Sequence, residues 1–160
     1  MVWLNGREKN HFVFVVSPVE TDSGLLSAYR FWSALTDNQV WYVTAGAPYA
    51  DRIRSGDQVL FCLKSASGGG GFVAHGLCSG PVAPLNDEDR AFMSRLGITT
   101  RFTGRVPLLL VIYWPAAVPV EAVAESLRSL GSDGEDFCRG EIVPIAGADF
   151  DLIVAQSAAE

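Results

Sequence analysis

His75 and Cys78 are the two side chains best suited to covalent chemistry, standing three residues apart around Gly76. A thiol beside an imidazole is the beginning of a nucleophilic pair, provided that both lie on one face and a third group orients the ring. Alternation along a strand need not place both on one face, and no third orienting group is evident; a core histidine is the simpler reading of His75. Gly68 to Gly71 has the flexibility of a phosphate cradle. It lacks the Lys-Ser/Thr that completes one, and a strand-like run follows it instead of a helix, so a hairpin tip accounts for it better. Asp87, Glu88 and Asp89 cluster where a helix begins, the usual place of a solvated acidic cap. Asp133, Glu135 and Asp136 sit in a Gly/Ser loop with no histidine near them. Cys62, Cys78 and Cys138 are odd in number and form no CxxC, which argues against a zinc finger and for small core thiols in a reducing cytoplasm. No catalytic set assembles, and neither a metal nor a cofactor is expected.

Non-covalent recognition is better represented. Trp41 ends a short strand-like run, beside Tyr42 and just before Thr44-Ala45-Gly46-Ala47-Pro48. An indole there can offer its face to a planar ligand while the hydroxyls of Ser17 and Thr44 and the backbone groups of Thr44, Ala45, Gly46 and Ala47 supply hydrogen bonds. A nucleobase is such a ligand, and stacking contributes about 1–3 kcal/mol per base. The plainer reading of any one aromatic is core packing. The formal net charge of −6 opposes nucleic acid, yet it is unevenly spread. Residues 1–85 hold six basic and six acidic side chains; residues 86–160 hold six arginines against twelve acids. Within that acidic half, Arg90, Arg95, Arg101 and Arg105 occupy a stretch with no acid, interleaved with Phe92 and Phe102. Charges separated by more than about 10 Å are screened in ordinary salt, so this local surplus outweighs the sum. Arg52 and Arg54 are further phosphate-binding candidates, and a solvated helix and loop is the alternative reading of the stretch.

The elements that must position these groups follow from patterning. The chain has 160 residues, 49% hydrophobic and 19% charged, enough for one globular domain over 1–160 and not for two. No apolar run approaches the roughly 18 residues of a membrane span, and Met1 to Asn5 lacks a signal-peptide pattern, so a soluble cytoplasmic domain is expected. Phe12–Val16 reads as a strand. A helix is expected through Leu25 to Leu35, capped from Thr21, Asp22 or Ser23. Gln39–Val43 reads as a strand and Tyr49–Arg54 as a turn of helix. Gln58–Leu63 and Phe72–Leu77 form an antiparallel hairpin. A helix over Asp87–Leu96, capped by Asn86, leads into a loop to Arg105, and Val106–Tyr113 is the most apolar strand. Pro119–Leu130 reads as a helix. Phe137–Gly140 and Glu141–Ile145 read as weak strands, and Asp149–Gln156 as a closing helix. The fold class is α+β: a curved, mostly antiparallel sheet or open β-barrel flanked by helices.

Five stretches, in this order, resemble one family: Phe12 to Ser17; Gln39-Val40-Trp41; Ile53 to Phe61 with its Gly56-Asp57; Gly71 to Gly76 with Ser79-Gly80-Pro81; and Gly140 to Ile145 with Asp149 to Ile153. They look like the EVE domain of the PUA-like superfamily and its relative, the YTH domain. The resemblance implies a reader that holds a flipped, modified base in an aromatic-walled pocket. YTH domains take N6-methyladenine in RNA, whereas EVE domains are associated with modified DNA and often serve modification-dependent restriction systems. Trp41 matches the family's first cage tryptophan and Ser17 the polar residue after the first strand. Tyr42 stands where the family often has a small residue. The second wall falls in Leu85 to Arg105, where no tryptophan occurs and Phe92 or Phe102 would serve. The implied partner is nucleic acid, modified cytosine in DNA ahead of RNA, with any nuclease on another segment or subunit. An RNA reader, a His75/Cys78 hydrolase and a protein-interaction scaffold are the rival readings.

Overall fold

The computed structural model describes residues 9–64, 70–123, 126 and 141–158. Among these the chain order is β1 (His11–Val16), β2 (Val19–Thr21), β3 (Gly24–Leu26), α1 (Ala28–Asp37), β4 (Val40–Thr44), β5 (Gln58–Lys64), β6 (Gly70–Cys78), β7 (Ala83–Pro84), α2 (Asp87–Leu96), β8 (Phe102–Pro119), α3 (Val120–Val123), β9 (Ile142–Pro144) and α4 (Gly147–Ala158). The main sheet runs β4-β8-β6-β5-β1-β9, with β7 also on β8, and β2-β3 forms a separate hairpin. All pairs in the main sheet are antiparallel except β1 with β5. The expectation of an α+β fold with a curved, mostly antiparallel sheet flanked by helices therefore holds.

One strand makes the sheet curl. The first part of β8 pairs with β4 and the remainder with β6, with irregularities at Val43/Thr44, Phe72/Ala74 and Leu77/Cys78. Such bulges increase twist and bend the strands that carry them. A close approach of β6 and β8 accompanies this, because a Cβ on Gly76 would lie 2.6 Å from the Leu110 carbonyl oxygen. The β1 run is apolar on both faces because both are covered. Phe12, Phe14 and Val16 join Phe31, Trp32, Leu35, Trp41 and Phe61, while Val13 and Val15 join Leu60, Phe72, Phe150 and Ile153.

Local chemistry set several boundaries correctly. Asn86 caps α2 through a reciprocal box with Asp89, and Gly97 ends the helix at φ 68°. The first helix differs from expectation. Residues 19–26 form the β2-β3 hairpin, in which Thr21 Oγ1 donates to the Gly24 carbonyl at 2.6 Å and Gly24 adopts φ 123°. α1 starts afterwards, with Ser27 Oγ accepting from the Arg30 N–H. Thr21, Asp22 and Ser23 serve a turn, which competes with helix capping for the same residue types. The segment expected as a loop up to Arg105 is already strand from Phe102. The expected Phe137–Gly140 strand, residues 127–130 of the expected Pro119–Leu130 helix, Cys138, Gly68 and the carboxylates Asp133, Glu135 and Asp136 lie outside the described residues.

The Gly56-Asp57 motif is structural. Gly56 takes φ 87°, and the fully buried Asp57 carboxylate accepts from the N–H groups of Arg54 (2.8 Å) and Asn10 (3.0 Å). It thereby ties the entry of β5 to the entry of β1. Removing it strands two amide donors, so Asp57→Ala is expected to lower the unfolding free energy by about 3 kcal/mol in urea titrations.

Candidate nucleic-acid interface

Five segments converge on a solvent-open cavity of about 130 Å³. The end of β1 and the turn after it supply Val15, Ser17, Pro18 and Val19; β4 supplies Trp41, Tyr42 and Thr44. α1 supplies Phe31, the approach to β8 supplies Thr100 and Phe102, and the residue before β9 is Glu141. An apolar cavity of about 150 Å³ admits a benzene-sized molecule, so this hollow matches one six-membered ring. The approach to β8 is held by the Thr99 N–H donating to the Glu20 carbonyl (2.9 Å) and by a bridge of Thr21 to Ile98. The β2-β3 hairpin, absent from the sequence reading, therefore braces one wall.

Trp41 is only 4% exposed. It lies inside β4, not at its end, and packs near Phe31 (5.7 Å), Phe61 (5.8 Å) and Phe14 (6.4 Å). It is both core and cavity wall, which makes truncation to alanine a core-emptying change. Phe102 is the second aromatic wall. It stacks on Phe31 at 5.5 Å and 16° and lies 5.8 Å from Tyr42. Phe92 is excluded from the cavity, because it sits edge-on to Tyr42 (6.4 Å) over a separate polar hollow. Ala45 is exposed and does not line the cavity either. A wider hollow of about 570 Å³ shares Thr44 and runs between the Gly46–Asp51 turn and Val82–Pro84.

Tyr42 owes its orientation to Asp89. The phenol donates to Asp89 Oδ1 at 3.0 Å, and Arg105 Nε lies 2.8 Å from Oδ2. Burial first, then the bond to Asp89, pushes the phenol up from its ordinary pKa, so it stays a donor. Asp89 is thus buried and fully engaged, unlike the solvated cap expected of it. Arg105 is correspondingly withdrawn from the proposed phosphate set. Arg90 pairs with Asp87 at 3.2 Å on the surface, and Arg54 Nη1 donates to the carbonyls of Asp51 (2.7 Å) and Ile53 (2.9 Å). The Arg52 guanidinium lies over Tyr49, 5.0 Å from its ring centre. Arg95 and Arg101 are exposed and form no ion pair among the described residues.

His75 and Cys78 are separated by the pleat. Cys78 is in the core beneath the curl, where burial, then the Asp57 charge, pushes its thiol up to about 12. His75 faces the other way, accepting at Nδ1 from Trp114 Nε1 (2.8 Å) beside Phe150, and burial lowers its pKa. The pair cannot act as nucleophile and base. Among the described residues no cluster of three metal-ligating side chains occurs, and no helix is long and apolar enough to cross a membrane.

No family model and no curated protein matches this sequence. Solved structures do match its fold. Human THYN1 in complex with 5-methylcytosine-containing DNA has a TM-score of 0.62 at 10% identity, over 95% of this chain and 99% of that one. A hypothetical protein of Leishmania major has a TM-score of 0.60 at 12% identity, over 95% and 96%. The YTH domain of Zygosaccharomyces rouxii MRB1 in complex with N6-methyladenosine RNA has a TM-score of 0.52 at 13% identity, over 94% and 87%. The chain has the PUA-like fold related to EVE and YTH domains.

Two outcomes check this geometry. Cys78 is expected to stay unlabelled by iodoacetamide at pH 8 in the folded protein and to react on unfolding, as read by peptide mass spectrometry. Arg105→Ala is expected to cost about 2 kcal/mol of stability, since it leaves a buried carboxylate without its cation while the guanidinium itself was partly solvated.

Proposed function

We propose that this chain is a non-catalytic reader of nucleic acid that receives one flipped, modified base in the cavity between Trp41 and Phe102. The carrying observation is the convergence of two aromatic walls with Ser17 and Thr44 on a hollow of single-ring size. Extruding a base from a duplex costs a few kcal/mol, which stacking of about 1–3 kcal/mol and edge hydrogen bonds can offset. Single-ring size favours a cytosine derivative, and the similarity to THYN1 bound to 5-methylcytosine DNA supports DNA as the polymer. Arg95 and Arg101 are the phosphate contacts of first choice, with Arg52 and Arg54 beside the wider hollow. A reader of this kind fits a cytoplasmic modification-dependent restriction system in which the nuclease is a separate domain or subunit. The similarity to a YTH domain bound to N6-methyladenosine RNA supports the second reading, an RNA reader.

A panel of DNA and RNA oligonucleotides, matched in sequence and carrying single modified bases, tests this by fluorescence anisotropy. Modified-cytosine DNA is expected to bind tightest; equal affinity for modified and unmodified strands would refute the reader role. Phe102→Leu and Trp41→Phe should each weaken modified-strand binding by about tenfold and leave unmodified strands nearly unchanged. Arg101→Ala should weaken both alike and reduce the slope of log affinity against log salt by about 0.9.

A further inference from the structure

Glu141 stands in the cavity wall without a cationic partner among the described residues. Its position is held from two sides. The Glu141 carbonyl accepts from the Val15 N–H at 2.9 Å, which fixes the backbone against β1. Its carboxylate spans to β4, where Oε2 accepts from Thr44 Oγ1 (2.5 Å) and Oε1 from the Thr44 N–H (3.4 Å). Each carboxylate oxygen accepts about two hydrogen bonds, so the contacts to Thr44 orient the group without saturating it. A preorganised acceptor thus forms part of a hollow otherwise lined by aromatic rings, Val15, Pro18, Val19 and the neutral hydroxyl side chains of Ser17, Thr44 and Thr100, so Glu141 is its one charged group among the described residues.

We propose that Glu141 is the specificity-determining residue of this cavity and selects a pyrimidine carrying an exocyclic amine, cytosine or its 5-substituted forms, against thymine and uracil. This rests on the base-reader reading above. Cytosine turns an N4–H₂ donor toward an acceptor, and carboxylates are the side chains that take it. Thymine presents a carbonyl oxygen at the same ring position, which would set lone pairs against a carboxylate. The apolar walls accommodate a 5-methyl group without distinguishing the two bases, because 5-methylcytosine and thymine share it. A methylated cytosine and its deamination product differ at N3, an acceptor against an N–H donor, and at position 4; the reading of position 4 falls to Glu141.

The test compares wild type with Glu141→Gln on single-stranded DNA of about 11 nucleotides carrying one central 5-methylcytosine, thymine or unmodified cytosine, so that no duplex pairing energy intervenes. Wild type is expected to prefer 5-methylcytosine to thymine by about tenfold or more. Glutamine keeps the shape and an acceptor for Thr44 but can present its amide N–H₂ to a carbonyl, so the ratio should fall to near unity. Thermal melting of both proteins establishes that the variant is folded, and Thr44→Val, which frees the carboxylate to turn, should lower the ratio part of the way. A folded Glu141→Gln that still prefers 5-methylcytosine to unmodified cytosine and keeps the wild-type ratio to thymine overturns the role of Glu141 alone. A wild type that binds all three strands equally overturns the reader and this inference together.

Discussion

The pairing of β4 with the first part of β8 is the constraint on which the site depends. Trp41 opposes Val106 and Tyr42 opposes Arg105, and after the irregularity at Val43/Thr44 the hydroxyl-bearing Thr44 comes opposite Phe102. One register thus sets an aromatic wall beside a polar group, and the bulge turns the end of β4 toward the last segment of the chain, where Glu141 meets it. A slip by one residue would exchange the faces of every side chain on the strand. β4 is buried over Val40–Val43, and Gly104 and Val106 of β8 are buried against it, which makes such a slip costly.

The same pairing explains why Asp89 is buried. Arg105 and Tyr42 are cross-strand partners, and α2 lowers its first turn onto them, so one carboxylate serves the helix cap, the phenol and the guanidinium together. A buried charge is tolerable only with such a complete set of partners. The network holds Tyr42 against Phe102, and it also removes a cation from the surface. With Arg90 paired to Asp87, the exposed positive footprint near the cavity is small. Phosphate contacts of that number supply little sequence-independent affinity on a chain of net charge −6. In the proposed reader, base recognition then carries the larger share, which suits a pocket walled by rings and a directed acceptor.

Much of the fold was legible because local rules and tertiary packing agreed. The β1 run, Asn86 before three acids, and Gly56-Asp57 before β5 each combine residues whose conformational preferences match their final state. The ordered resemblance to EVE and YTH domains added a topology that periodicity cannot supply. The reading failed where one residue type serves two ends: Thr21, Asp22 and Ser23 suit a helix cap and a hairpin turn alike, and the turn prevailed because Thr21 found the Gly24 carbonyl and Ile98. Of the base-site candidates, Ser17, Trp41, Tyr42, Thr44 and Phe102 meet at one cavity, whereas Ala45 and Phe92 do not. Glu141 and Phe31 escaped notice, although Glu141 lay within a stretch that resembled the family's last strand.

Sequence alone determined the kinds of group this protein has to work with: a surplus of aromatics, arginines set among them, three cysteines and two histidines. Short-range preferences, which depend on neighbours within a few residues, also settled most strand and helix positions. Which arginines remain at the surface, which phenylalanine lines a cavity with Trp41, and whether a carboxylate stands in the hollow were decided only by tertiary structure. Thr44 and Glu141 are 97 residues apart, and Tyr42 and Asp89 are 47. Contacts at such separations depend on sheet register and helix docking, and no local pattern encodes them.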